Sequence, residues 1–137
     1  MRRRGVFVTL EGPEGSGKSS QCRALVRRLR RGGYRVVALR DPGSTALGRA
    51  LRRVLLHTAR PLSPLQEALL FIGGRAHLVE ERIAPALRRG CVVVCDRFHD
   101  STMAYQGFGG RLEVSRLQRI GRRAIHGVMP SVTLLLD

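Results

Sequence analysis

Residues 12–19 read Gly12-Pro13-Glu14-Gly15-Ser16-Gly17-Lys18-Ser19, a glycine, four variable residues and then Gly-Lys-Ser. That spacing is the pattern of a phosphate-cradling loop. The three glycines let the backbone curl and aim several N–H groups at one point, because none carries a Cβ. A helix starting near Gly17 adds its positive end to the same point. Lys18 would bring a full charge to the outer phosphates, and Ser19 a hydroxyl for a divalent metal. The plainer alternative is a glycine-rich turn that caps a helix and binds nothing. The flanks argue against it. Val6-Phe7-Val8-Thr9-Leu10 before the loop reads as a buried strand. After it, Cys22, Leu25, Val26 and Leu29 share one helical face.

The same alternation continues along the chain. A first strand over about 6–11 is followed by a helix that stops at Gly32-Gly33. Residues 34–39 form a second strand. The turn from Arg40 to Thr45 leads into a helix marked by Leu47, Leu51, Val54 and Leu55, with Ser44 or Thr45 as its cap. The segment Arg60-Pro61-Leu62-Ser63-Pro64 breaks that helix. A long amphipathic helix then places Leu65, Leu69, Ile72, Ala76, Val79, Ile83 and Ala86 on its apolar face. Gly73-Gly74 inside it costs about 1 kcal/mol per glycine relative to alanine, which suggests close packing at that backbone. Pro85 is expected to kink the helix near its end. Cys91–Cys95 reads as a fully buried third strand, and residues 98–110 as a loop or broken helix. Val114, Leu117, Ile120, Ala124 and Ile125 mark another helix, and 132–136 a last strand. Continuous apolar strands alternating with helices predict a parallel sheet of about four strands, covered by helices on both faces. In such sheets ligands sit beyond the carboxyl ends of the strands, where Glu11, the turn from Arg40 and the pair Asp96-Arg97 fall.

At 137 residues the chain is expected to be one domain. No apolar run reaches the length of a membrane span. Met1-Arg2-Arg3-Arg4 precedes only a short apolar stretch, which serves better as the first strand than as a signal peptide, so a cytoplasmic protein is expected. The net charge of +15 raises nucleic acid as a partner. However, Lys18 is the only lysine among 25 basic residues, and the arginines are spread along the polar sides of helices. A general arginine bias explains that spread as well, so nucleic acid is not the expected partner. Cys22, Cys91 and Cys95 are expected to be buried thiols rather than metal ligands. His57, His77, His99 and His126 pair with no plausible nucleophile and are given no role.

Four ordered segments resemble the thymidylate kinases, the bacterial kind in particular. They are 7–21 around the phosphate loop, Arg40-Asp41-Pro42-Gly43-Ser44-Thr45, Phe71-Ile72-Gly73-Gly74-Arg75-Ala76-His77, and Asp96-Arg97-Phe98-His99-Asp100-Ser101-Thr102-Met103-Ala104-Tyr105-Gln106-Gly107. The resemblance implies a P-loop nucleoside monophosphate kinase that joins ATP and dTMP to give ADP and dTDP with Mg²⁺. It implies catalytic roles for Lys18 and Arg97, with Arg97 bridging donor and acceptor phosphates. Residues Gly12 to Ser19 would hold the ATP phosphates, and Ser19 and Asp96 the metal. The dTMP site would comprise Glu14, Arg40, Pro42, Phe71, Arg75, Arg97, Ser101, Thr102, Tyr105 and Gln106. Phe71 would stack on thymine, Arg75 would reach a base carbonyl, and Thr102 would touch the base. Tyr105 would crowd the sugar 2′ position, and Glu14 would bind the 3′-hydroxyl or order water near the metal. Relatives are typically homodimers.

Three departures stand out. Glycines at 73 and 74 replace alanines, Asp41 replaces Glu, and Ser44 replaces Gly. Relatives also continue past the strand at 132–136 into a lid, further helices and much of the adenine site, so the 137 residues are expected to be C-terminally incomplete. The phosphate loop has no arginine that could stand in for the lid's charge. Two alternatives stay open, a related nucleotide or nucleoside kinase and a non-catalytic nucleotide-binding module.

Overall fold

The computed structural model describes residues 3–137, and Met1 and Arg2, the start of the basic run discussed above, lie outside the described residues. Four parallel strands form one sheet: β1 (Val6–Glu11), β2 (Val36–Arg40), β3 (Val92–Asp96) and β4 (Val132–Leu135). Their order is β2-β3-β1-β4. Leu10 pairs with Asp96 and Arg40 with Asp96, so the carboxyl ends of β1, β2 and β3 finish level with one another. That registration fixes where the phosphate loop, the Arg40 turn and the Asp96-Arg97 pair meet.

The alternating side chains of the strands feed a core on each face. On one face Phe7, Leu39, Val93 and Cys95 pack with Leu78, Val79, Ile83, Ala86 and Ile125. On the other, Leu10, Val92 and Val94 meet Val26 of α1 (Lys18–Arg31), flanked by Cys22, Leu25 and Leu29. Cys91 and Cys95 are buried as expected, and Cys22 is half-buried. Burial pushes the Cys22 thiol up to about 11, so it is no nucleophile at neutral pH although it lies one turn beyond Lys18.

The helices start where their caps allow. Thr45 accepts from Gly48 N–H at 2.8 Å and opens α2 (Ala46–His57). Ser63 and Gln66 form a reciprocal capping box, 3.1 and 2.9 Å, with Pro64 at the first turn of α3 (Pro64–Leu78). The long helix does not run unbroken to Gly90. It passes through a π-helical turn at Val79–Ile83 into α4 (Ala84–Arg88), so the irregularity sits just before Pro85, which has no N–H to continue the ladder.

Residues 98–110 become a single helical turn, α5 (His99–Thr102), followed by a π-helical stretch Met103–Gly109. Then α6 (Val114–Ala124) leads to β4.

Several expected core positions face outward. Leu65 and Leu69 are 53% and 55% exposed, while Ala68 fills the core beside the expected Ile72. Ile120 is also exposed, and Leu117 and Ile125 carry the buried face of that region. The period of three and four places Ile72, Val79, Ile83 and Ala86 correctly in the core, but the stripe is wider than the side buried at the start of α3, where it also selects Leu65 and Leu69. Gly74 gives room to α2, since a Cβ there would stand 2.7 Å from Leu51 Cδ1. Gly73 has no neighbour within 4 Å of such a Cβ. Gly74 alone therefore serves a helix–helix approach, and neither glycine lines the clefts beside Phe71 and Arg75.

Candidate functional site

The phosphate loop closes on itself before α1 begins. Ser16 donates through both N–H and Oγ to the Pro13 carbonyl, at 3.4 and 2.7 Å. Gly17 caps α1 with φ 83°, a left-handed conformation that a side chain would strain. No side chain caps this helix end, so its first N–H groups face the loop. Lys18 is buried at the helix start, its Nζ 3.5 Å from Asp96 Oδ1. Ser19 Oγ donates to Asp96 Oδ2 at 3.3 Å. One carboxylate thus holds the ammonium and the hydroxyl side by side.

The turn after β3 is strained and clamped. Arg97 has φ 68°, unusual for a residue with a side chain. Its N–H donates to the Leu10 carbonyl at 3.0 Å, and Phe98 N–H donates to Glu11 Oε1 at 2.8 Å. Ser101 Oγ donates to Glu11 Oε2. Burial pushes the Glu11 carboxyl up, and the bonds from Ser101 and Phe98 oppose that shift. Glu11 therefore ties the end of β1 to the segment that presents Arg97, Ser101 and Thr102. The Arg97 guanidinium lies 5.5 Å from the centre of the Tyr105 ring.

Two clefts meet at this point. The first, about 510 Å³, is lined by the loop, Lys18, Ser19, Asp96, Arg97, Arg40, Pro42, Arg52 and Phe71. Burial first, then the charges of Arg40 and Arg97, pushes Arg52 down from its ordinary value. Several cations are thus gathered where they repel one another, the arrangement of an anion site. The second cleft, about 400 Å³, is lined by Glu14, Asp41, Glu67, Phe71, Arg75, Arg97, Ser101, Thr102, Tyr105 and Gln106. Glu14, Phe71 and Arg97 belong to both.

Arg75 organises the second cleft. It is only 2% exposed, and its Nε donates to Asp41 Oδ2 at 2.5 Å. One terminal nitrogen donates to Thr102 Oγ1 at 2.9 Å, and the other, Nη1, is buried with no partner in the protein. Burial pushes the Asp41 carboxyl up and the adjoining guanidinium pulls it back. An unpaired buried donor among residues lining a cleft calls for a ligand acceptor.

Every residue singled out from the sequence for phosphate, metal or acceptor binding thus lies around these two adjoining clefts, apart from Gly12 and Ser16, which shape the loop behind them. Sequence reasoning passed over Arg52, Glu67 and the buried partner Asp41, and it placed Glu11 at the site's edge without a role. For Arg52 the signal emerges only in the fold. Gly48 packs against Gly43 of the turn, and Arg52 follows one helical turn later on the same side. His99, given no role from the sequence, is buried with neither ring nitrogen partnered, against Gly121 of α6. Among the described residues no group of three or more His, Cys, Asp or Glu side chains could hold a metal.

A glycine loop between the central strand and its helix, beneath a fully parallel sheet, defines a P-loop α/β protein of the kinase type. Residues 10–137 match the thymidylate kinase family profile. The chain is 52% identical over 132 residues to a thymidylate kinase of Synechococcus sp. (strain JA-2-3B'a(2-13)), covering 96% of this chain and 64% of that protein. It is 49% identical over 131 residues to a thymidylate kinase of Thermomicrobium roseum, covering 96% of this chain and 62% of that protein. A crystal structure of thymidylate kinase from Ehrlichia chaffeensis superposes with a TM-score of 0.91 at 38% identity, covering 98% of this chain and 75% of that chain. The chain belongs to the thymidylate kinase family. It spans less than two-thirds of the length of these curated relatives, 64% and 62%.

Proposed function

We propose that this chain serves as a nucleoside monophosphate kinase domain that transfers the γ-phosphoryl group of ATP to dTMP. The observation that carries the reading is the junction of the two clefts at Arg97, where a phosphate loop and a base-sized pocket share one guanidinium. Phosphoryl transfer needs positioning and charge neutralisation more than covalent help. Lys18 and the loop amides would hold the donor phosphates. Arg97 would bridge donor and acceptor phosphates, a task suited to a planar fork. Arg40 and Pro42 line the acceptor-phosphate side, and Arg52 adds a further cation.

The base side follows the same logic. Phe71 offers the flat apolar surface for thymine. Arg75 Nη1 would donate to a base carbonyl, with Thr102, Ser101 and Gln106 completing the polar rim. Tyr105, held beneath Arg97, would exclude a 2′-hydroxyl, and Glu14 would accept from the 3′-hydroxyl.

Mg²⁺ fits the donor set. A hydroxyl and a single carboxylate 3.3 Å apart beside the loop suit an ion that keeps several waters and takes its other ligands from phosphates. Ser19 would ligate it directly and Asp96 through water, and the ion would neutralise charge on the transferring group.

A homodimer belongs to the same reading, supported by exposed Leu65 and Leu69 on α3 and Ile120 on α6. Sedimentation as a monomer at micromolar concentration would remove that part. No helix among the described residues is long and apolar enough to cross a membrane. A cytoplasmic location is part of the proposal.

Calorimetry with ATP–Mg²⁺ and with dTMP, followed by a coupled assay for ADP, tests the function. Both ligands should bind, and dTDP should form faster from dTMP than UDP from UMP. Heat from neither ligand on a folded sample would end the reading. Binding of both without dTDP would favour the non-catalytic module.

A further inference from the structure

Glu67, which lines the second cleft, has no role in the proposed function, and its partner there is Gln106. Gln106 is only 6% exposed, and its Nε2 donates to Glu67 Oε2 at 3.0 Å. Glu67 sits in the first turn of α3 and Gln106 in the π-helical stretch, and both line the cleft with Arg75. An ionised carboxylate can only accept, so the end of the carboxamide that meets Glu67 must be the amino end. The carbonyl Oε1 is thereby fixed as the end left for a ligand. The cleft then offers one buried donor, Arg75 Nη1, and one oriented acceptor, Gln106 Oε1. A 4-oxo pyrimidine presents the complement, a carbonyl beside a ring N–H. A 4-amino pyrimidine presents the reverse, a donor beside a bare ring nitrogen.

We propose that Glu67 is a specificity-determining positioning residue, whose carboxylate holds the Gln106 carboxamide by its amino end and so makes the cleft accept 4-oxo and reject 4-amino pyrimidine monophosphates. This rests on the assignment of the cleft to the acceptor base. Without Glu67 the carboxamide turns over at little cost, and only the Arg75 donor still favours the 4-oxo edge.

The test compares dTMP with 5-methyl-dCMP, which differ only along the ring edge in question. Dissociation constants are measured by calorimetry on the full 137-residue chain, with thermal melts to confirm folding. The unaltered chain should prefer dTMP. Glu67→Gln, which is isosteric and pairs with either end of Gln106, should shrink the ratio of the two constants by at least about tenfold, the scale of one mispaired buried hydrogen bond. Glu67→Ala should do the same if the first variant folds poorly. The double exchange Glu67→Gln/Gln106→Glu puts an acceptor-only group at 106 and should restore most of the preference, an outcome that a merely structural role for Glu67 would not produce. Equal weakening of both ligands in Glu67→Gln, an unchanged ratio, or no recovery in the double exchange would overturn the proposal alone. No preference for dTMP in the unaltered chain would overturn the assignment of the cleft as well.

Discussion

The two clefts are built on opposite principles. The cleft proposed for phosphate is centred on eight consecutive residues that include a helix start, with Arg40, Arg52 and Arg97 crowded around it. Among the described residues only Lys18 has a carboxylate partner there, Asp96 at 3.5 Å. The base side is assembled from α3, the turn after β2, α5 and the π-helical stretch, and its polar groups are buried and paired, Asp41 to Arg75 to Thr102 and Glu67 to Gln106. A polyphosphate carries charge enough to be held by backbone N–H groups and loose cations, which need only local geometry. A neutral base offers a few hydrogen bonds, so its readers must be fixed before it arrives. The comparison teaches that affinity for phosphate can be written locally, while selectivity for a base has to be locked by tertiary packing.

The largest effect should come where the two sides meet. Arg97→Ala is expected to lower turnover by about 10³–10⁵-fold while ATP affinity changes little, because the guanidinium acts chiefly on charge in transit. Steady-state rates set beside calorimetric ATP binding check this, and equal losses in both would show that Arg97 belongs to the donor side alone.

Next in size is the lock itself. Asp41→Asn leaves the Arg75 guanidinium without its charged partner in the interior, which should cost about 3–5 kcal/mol of stability. Denaturant melts should show it, and dTMP affinity should fall while the loop keeps its ATP affinity in the molecules that remain folded. A loss below about 1 kcal/mol would mean that the base side is no more rigid than the phosphate side.

The base side should also carry the acid sensitivity. His99 lies against Gly121, and burial first, then the charge of Arg75, holds its pKa below the ordinary 6.5, with Arg122 adding to the shift and Asp100 opposing it. The folded chain therefore binds this proton less readily than the unfolded one. Stability is fully present above the ordinary value and is lost as pH falls through it toward the folded value. His99→Leu should flatten the fall in melting temperature between about pH 7 and pH 5. A variant with the same acid slope as the unaltered chain would place the sensitivity elsewhere.

The smallest effect separates packing from binding within α3. Gly73→Ala adds a Cβ to open space and should stabilise by about 1 kcal/mol through helix propensity, with dTMP affinity unchanged. A change in affinity would bring the glycine pair back into the base cleft.

Much of the site was legible because its residues cluster in short segments. Asp96 and Arg97 follow a strand of unbroken apolar residues, and Phe71 and Arg75 share a helical face. Leu65 and Leu69 misled because periodicity marks a stripe and cannot say how much of it a neighbour covers. Asp41 read only as a turn residue in place of Glu, since nothing nearby in sequence reveals that Arg75, 34 positions on, reaches it.

By itself, then, the order of amino acids determined the alternation of strands and helices, the phosphate loop and the cation beside it, for these depend on contacts between near neighbours. Only the folded arrangement decided that Glu11 clamps the Arg97 turn, that Asp41 and Thr102 anchor Arg75, and that Glu67 orients Gln106. Those pairs join groups far apart along the chain, and their worth comes from burial, which no stretch of sequence possesses until the layers close over it.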